Sequence, residues 1–360
     1  MILALGKYEI VAENHEGMNA YSFRARHIPL DVAVFLKAWD VDPASDDLYT
    51  EARLLKEISE SDHGRMNLVR VLDAQRLDDE TVLMAMEFVE DGSLLGQLKE
   101  HGAFALGDAL RITIGVLHGL AHMHSRGLVH RDLKPANIMI ERAHLWPKIG
   151  DFGSVSQLDT NGVAARKSRR SALYTAPECW EDTPAHTRSS DMYQVGITAH
   201  ELINGPLPYT YESYLDADAK RAVAKAGAKT IGDVSDPVHR DDIINRAIAR
   251  RASKRSLLDL APTRIYVPDA VRRVIRKATS PKPSARYASI TEFVAALEQI
   301  DCPNWLIVDD ELHAPNFRGA DWLIKPASTG FVALRRLNSG YRHWKSNTDM
   351  LPLITAIHDA

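Results

Sequence analysis

The stretch that decides the reading is His130-Arg131-Asp132-Leu133-Lys134-Pro135-Ala136-Asn137-Ile138-Met139. It follows a long apolar-rich segment, ALRITIGVLHGLAHMHSRG, that closes at Gly127, a natural helix stop. An aspartate five residues before an asparagine, on a loop braced by a short β-forming run, can orient a hydroxyl and hold a metal ion. In that arrangement Asp132 accepts the proton of an attacking alcohol and Lys134 neutralises charge on a moving phosphoryl group. Asn137 offers its carbonyl oxygen to Mg²⁺. A lone loop aspartate is usually a turn former, but turn chemistry does not account for ten residues in this order. Fourteen positions after Asn137, Asp151-Phe152-Gly153 follows the strand-like Trp146-Pro147-Lys148-Ile149. A carboxylate at a strand end is where a hard cation bridging phosphates is held.

Outward from this core, the first hundred residues read as strands with one helix. Short β-rich runs are expected at Tyr8–Glu13, Tyr21–Ala25, Val32–Lys37, Leu68–Leu72 and Val82–Phe88. Between the third and fourth, Leu48, Ala52, Leu55 and Ile58 recur at helical spacing. Beyond Ser93 helices dominate, in MYQVGITAHELING, which ends at Gly205, and in DAVRRVIRKATS and ITEFVAALEQI, which stop before Pro281 and Pro303. Residues 209–266 are charged and Ala-rich and read as surface helices of an expanded insertion. From Asp301 the composition shifts toward Trp, Asn and β-formers, which predicts a small separate β-containing appendage. The paired Trp-Leu-Ile at 305 and 322 has no fixed period to extend it and reads as coincidence.

The 360 residues carry 44 Lys plus Arg against 48 Asp plus Glu, a net charge of −4. With 45% hydrophobic and 26% charged residues, global disorder, collagen and coiled coil are excluded, and no chain-wide charge argues for a nucleic-acid binder. Cys179 and Cys302 are too far apart for a zinc knuckle or redox pair and read as free thiols of a reducing compartment. The opening MILALGKYEI lacks the basic start and apolar core of a secretory leader, and no uncharged run approaches membrane-helix length. A soluble cytoplasmic protein without membrane or nucleic-acid partners is the expectation.

Taken together, the two motifs resemble those of eukaryotic-type (Hanks-type) serine/threonine protein kinases, over about residues 7–300. The resemblance implies an α+β, bilobal protein-kinase-like fold. A small β-rich N-lobe (1–90) and a larger helical C-lobe (91–300) would hold MgATP in the cleft between them, with the appendage at 301–360. It implies catalytic roles for Asp132, Lys134, Asn137 and Asp151, with Asn137 and Asp151 as the metal ligands. Glu51 matches the helix glutamate that grips the ATP-anchoring lysine. Glu87-Phe88-Val89 resembles the hinge whose backbone bonds adenine, with Met86 as gatekeeper. Ala176-Pro177-Glu178 resembles the end of the activation segment, Arg286 the late arginine paired with that glutamate, and Asp191 the buried aspartate of the central helix. The Asp-Leu-Lys-Pro-Ala-Asn form points to serine/threonine rather than tyrosine substrates.

The nucleotide-anchoring end departs from the pattern. The Gly-rich loop falls on His15–Ser22 and keeps only Gly17, so fewer backbone amides can approach a phosphate closely. Matching Val32-Ala33 to Val-Ala-x-Lys puts Phe35 at the lysine position, whereas spacing from the loop puts Lys37 there. Residues 35 and 37 share a strand face, so Lys37 can point into the cleft. A non-catalytic scaffold acting through partners is the competing reading. A small-molecule kinase is a third, disfavoured by Lys134 and the Ala-Pro-Glu segment.

In ARKSRRSALY, Arg166, Lys167, Arg169 and Arg170 surround Ser168, a good setting for a phosphate. Activation by phosphorylation at Thr160, Ser168 or Ser171, in a transient homodimer, is one reading, and a basic loop with no regulatory phosphate is the other. Ser171 also occupies the place of the family threonine that contacts the catalytic Asp and Lys. His118, His122 and His124 lack the partners of a zinc site and read as structural. ARRASKR near residue 250 reads as a solvated helix face rather than a nucleic-acid site.

Overall fold

Alternating burial along the first ninety residues builds a six-stranded antiparallel sheet. The computed structural model describes residues 4–14, 21–40, 56–59, 67–77, 81–164, 171–181, 185–208, 210–260, 263–337 and 340–359. Strands β1 (Ala4–Leu5), β2 (Tyr8–Asn14), β3 (Tyr21–His27), β4 (Val32–Asp40), β5 (Val71–Arg76) and β6 (Thr81–Glu87) lie in the order β1-β2-β3-β4-β6-β5. On β4, Val34, Leu36 and Ala38 turn into a small core with Tyr8, Ala25, Leu83 and Ala85. Phe35 and Lys37 take the opposite face, as the two-residue period of a strand requires.

The run expected as a strand at Leu68–Leu72 is shifted to Val71–Arg76. Leu68 and Val69 instead dock onto the large lobe, where the Val69 N–H donates to the Ile149 carbonyl at 2.8 Å. Of the helix expected before them, a turn over 56–59 with buried Ile58 is described, and Glu51 lies outside the described residues.

The large lobe contains α1 (Leu94–His101), α2 (Leu106–Ser125), α3 (Arg188–Asn204), α4 (Ala217–Lys225), α5 (Pro237–Ser253), α6 (Asp269–Ala278) and α7 (Ile290–Glu298). Two small antiparallel ladders interrupt them: β7 (Leu128–Val129) pairs with β10 (Ser156–Gln157), and β8 (Ile138–Glu141) with β9 (Trp146–Ile149). Helix α2 stops where Gly127 adopts φ 74°, a left-handed conformation that suits glycine. Inside α2, a Cβ on Gly119 would stand 2.6 Å from the Asn67 carbonyl oxygen, so this glycine permits a close approach of the small lobe. Helix α3 opens with a Thr187/Ser190 capping box, and every residue from Ser190 to Ile203 is buried, which makes it the axis of the lobe.

The insertion forms helices, but they are more than a solvated surface. Helix α5 buries Ile243, Ile244, Ala247 and Ile248 in a second core with Leu173, Tyr174, Cys179 and Tyr214. The insertion therefore braces the segment that leads to Glu178.

Beyond residue 300, β11 (Leu306–Val308), β12 (Glu311–Phe317), β13 (Ala320–Pro326), β14 (Phe331–Arg336) and β15 (Arg342–Asn347) form an antiparallel meander in chain order, followed by α8 (Met350–His358). Trp305, Trp322, Ile324 and Ile357 belong to the same buried cluster as Ile112, Val116 and Leu120 of α2. Asn304 Oδ1 accepts the Gly107 N–H at 2.7 Å and the Asp108 N–H at 3.3 Å. It thus supplies the cap that Ala105, at the start of α2, does not provide.

Candidate active site

The catalytic-loop motif is held from beneath by α3. Fully buried Asp191 accepts the Arg131 N–H on Oδ1 at 2.8 Å and the His130 N–H on Oδ2 at 2.9 Å. Three residues on, and so on the same helix face, Gln194 accepts the Leu133 N–H at 2.9 Å and donates to the Arg131 carbonyl at 2.9 Å. Burial works against the charge of Asp191, but the hydrogen bond with His124 and the nearby His186 ring, 3.5 Å away, outweigh it and hold the carboxyl far below the usual carboxylate range. With its backbone clamped on both sides, the loop sustains Arg131 at φ 74°.

The loop side chains converge. Asp132 Oδ2 accepts from Lys134 Nζ at 2.8 Å and from Asn137 Nδ2 at 3.0 Å, and the same Nδ2 donates to the Asp132 carbonyl at 2.8 Å. Asp132 Oδ1, also buried, has no hydrogen-bond partner among the described residues. One carboxylate oxygen is thus fixed and the other is available to an incoming donor. Lys134 Nζ also donates to Ser171 Oγ at 2.6 Å, so one ammonium ties the loop to the activation segment.

Across the cleft, Lys37 Nζ reaches Asp151 Oδ1. The next strand residue on that face, Phe35, packs on the main core instead. Asp151 sits at φ 52°, and a Cβ on Gly153 would stand 3.2 Å from the Lys37 ammonium. Burial pushes the Asp151 carboxyl up, but Lys37, with His130 and Lys134 nearby, outweighs this and holds it below its ordinary value. His130 completes the link between motifs, its Nε2 lying 2.9 Å from the Gly150 carbonyl. The Asp151 carboxylate and the Asn137 amide oxygen are hard donors that suit Mg²⁺ better than a softer metal.

At the hinge, Met86 is 2% exposed and Val89 is buried. The Glu87 side chain accepts from Lys148 Nζ at 3.1 Å and from Arg70 Nε at 3.1 Å, and so ties the last strand of the small sheet to β9. Sequence reading assigned Glu87 only a backbone role. The signal available was Lys148 within the apolar strand WPKI, since a buried lysine needs a carboxylate. The Arg24 guanidinium lies 4.6 Å from the Phe88 ring centre.

Beyond Ser171, Glu178 and Arg286 form a buried two-pronged pair, 2.7 Å on each prong. Thr160 is exposed on the turn closed by the Gly162 N–H to the Asp159 carbonyl. Gly17 and Ser168, like Glu51, lie outside the described residues. His118 is exposed, whereas His124 is committed to Asp191. The described residues contain no group of three or more His, Cys, Asp or Glu side chains arranged to hold a metal.

A family model described as the protein kinase domain matches residues 16–296. Serine/threonine-protein kinase pkn3 of Myxococcus xanthus is 29% identical over 303 residues, covering 82% of this chain and 50% of that protein. PrkC of Bacillus subtilis is 30% identical over 247 residues, 68% of this chain and 38% of that protein. PknL of Mycobacterium tuberculosis is 32% identical over 261 residues, 69% of this chain and 62% of that protein. The chain spans about half or less of the first two relatives and under two thirds of the third.

Proposed function

The chain belongs to the protein kinase family, and from that premise we propose that it transfers the γ-phosphoryl of ATP to serine or threonine hydroxyls of proteins. The observation that carries the reading is the division of labour at Asp132, with one oxygen held by Lys134 and Asn137 and the other unpartnered. A hydroxyl donating to that free oxygen has its lone pair turned outward to attack. Lys134, bridging Asp132 and Ser171, stands where charge on the transferred group is met. Lys37 and Asp151 form the opposite wall, and Asn137 and Asp151 are the residues that would hold Mg²⁺, which neutralises phosphate charge when bound. The adenine edge falls to the backbone of Glu87 and Val89.

The same reading divides the chain into a small lobe over about 1–90, a large lobe over 91–300 and a terminal unit over 301–360. It places activation at Thr160, Ser168 or Ser171, by one copy acting on another in a transient dimer. No helix among the described residues is long and apolar enough to cross a membrane. The same reading takes the substrates to be cytoplasmic proteins.

The test is transfer of labelled γ-phosphate to the protein itself and to a generic protein substrate. Wild type is expected to transfer, and Asp132→Ala to lose about 10²–10⁴-fold. No transfer by wild type, with or without prior phosphorylation, overturns the reading in favour of a scaffold.

A further inference from the structure

Where the segment that starts at Ser171 ends, a groove of about 450 Å³ opens between the Pro177–Trp180 turn, the C-terminal half of α5 and Pro281-Lys282. Pro177, Trp180 and Pro281 give it apolar walls. Trp180 is half-buried and its indole is fixed by Nε1 donating to the Thr175 carbonyl at 3.3 Å. Lys254 and Lys282 also line the groove, both exposed, and neither lies within ion-pairing distance of an acidic side chain among the described residues. Glu181 is the one acidic residue lining it among the described residues.

Of the arginines in the same basic stretch, Arg250 and Arg246 are neutralised by carboxylates, and Arg251 and Arg255 are tethered to neutral acceptors outside the groove lining. Arg250 grips Asp216 at 2.6 and 2.7 Å, Arg246 pairs with Asp242 at 2.9 Å, Arg251 donates to the Tyr214 carbonyl at 2.9 Å, and Arg255 to Ser280 Oγ at 2.9 Å. Nucleic acid requires a row of cations to neutralise successive phosphates, whereas of the cations here that no carboxylate pairs among the described residues, only Lys254 and Lys282 line the groove. Two lysines beside an apolar floor fit instead a short peptide that carries carboxylates next to an apolar side chain.

We propose that this groove docks an acidic segment of the protein substrate, on the same polypeptide as the hydroxyl that reaches Asp132. The proposal rests on the kinase reading. From Ser171, bonded to Lys134, to Pro177 is six residues of chain, at most about 20 Å when extended. That path leads to the Pro177 edge of the groove, so an acidic residue about six or more positions from the acceptor is needed to span both sites.

The test begins with binding, which needs no catalysis. A labelled Glu-rich peptide without hydroxyl residues is titrated by fluorescence anisotropy against the full chain, beside its Gln counterpart. The Glu peptide is expected to bind about tenfold tighter than the Gln peptide, and to weaken with added salt. Lys254→Glu with Lys282→Glu removes that preference. Lys254→Gln with Lys282→Gln, matched to wild type in thermal melting, weakens it without reversing the charge. With a serine added to the peptide, the charge-reversed variant raises KM about tenfold while kcat holds. Equal binding of the two peptides by wild type, or an unchanged Kd in the charge-reversed variant, overturns the proposal. A single-stranded oligonucleotide that binds tighter than the Glu peptide and is lost in the same variant overturns it in favour of nucleic acid. Charge-dependent peptide binding without any phosphoryl transfer leaves the groove standing and removes the kinase reading.

Discussion

Replacing either partner of the Glu178–Arg286 pair tests whether the activation segment is anchored as the geometry indicates. The Arg286 side chain is 0% exposed, and Glu178 accepts from both of its terminal nitrogens at 2.7 Å. In Glu178→Ala the guanidinium keeps its carbonyl contacts, Nε to Ser280 at 2.7 Å and Nη1 to Ser189 at 2.9 Å, and lies 4.9 Å from the Tyr193 ring centre. A buried cation without its counter-charge costs about 3–5 kcal/mol. In Arg286→Ala the carboxylate keeps only Ser190 Oγ at 2.8 Å, and the Ser280 carbonyl loses its donor, for a similar cost. The double variant leaves no buried charge, so its cost is about that of one single substitution, and the coupling comes to about 3 kcal/mol. Urea unfolding of the four proteins, followed by circular dichroism, measures this against a total stability of about 5–15 kcal/mol. Both singles are also expected to lose hydrogen-exchange protection at the Tyr174 and Cys179 amides, which close turns onto Ser171 and Ala176. Single costs that sum to the double within about 0.5 kcal/mol would refute the coupled anchor.

Three further outcomes follow from the site. Lys37→Met is expected to lower phosphoryl transfer by about 10²-fold or more, whereas Phe35→Ala lowers stability and leaves turnover per folded molecule within a few-fold; the reverse ranking would restore Phe35's position as the anchor. Asp151 is held below its ordinary value of 3.8, so its ionised form stabilises the fold; that contribution is complete above the unfolded value and fades as pH falls through the folded one. Lys37→Met raises the Asp151 pKa, and a carboxyl NMR titration that does not move counts against the contact. Asn304→Ala, which uncaps α2, is expected to cost about 1 kcal/mol in thermal unfolding and to speed exchange at the Gly107 amide; an unchanged Gly107 rate argues against the cap.

What the sequence disclosed follows from how local each signal is. Asp132, Lys134 and Asn137 lie within six residues, and their contacts are set by that short loop, so the motif carried the geometry with it. Spacing from the loop picked Lys37, and strand parity allowed it, because a two-residue period puts 35 and 37 on one face. Parity by itself could not rank them, and the contact that agrees with the spacing is with Asp151, 114 positions away. Gln194 went unread although it lies three residues from Asp191 on the same helix face, because an apolar helix that is buried all round hides the polar stripe that matters. The insertion was read as surface because alanine and arginine dominate its composition. Ile243, Ile244 and Ile248 still form a narrow apolar stripe, and the surface it covers, Leu173 and Tyr174, comes from a different part of the chain. Asn304 had no local signature at all, because its two amide partners belong to a helix nearly two hundred residues earlier.

That last contact has a bearing on biosynthesis. The 197 residues separating Asn304 from Gly107 take roughly 10–40 s to make at 5–20 residues per second. Throughout that interval the first amides of the nascent α2 lack their cap, while Trp305 and Trp322, which complete the core beside it, are still to be made. The helix that delivers the chain to Asp132 therefore reaches its final form only after Asn304 and the two tryptophans have been made. A ribosome paused before the Asn304 codon would hold a polypeptide with Asp132, Lys134, Asn137 and Asp151 already present and the support of their leading helix still missing.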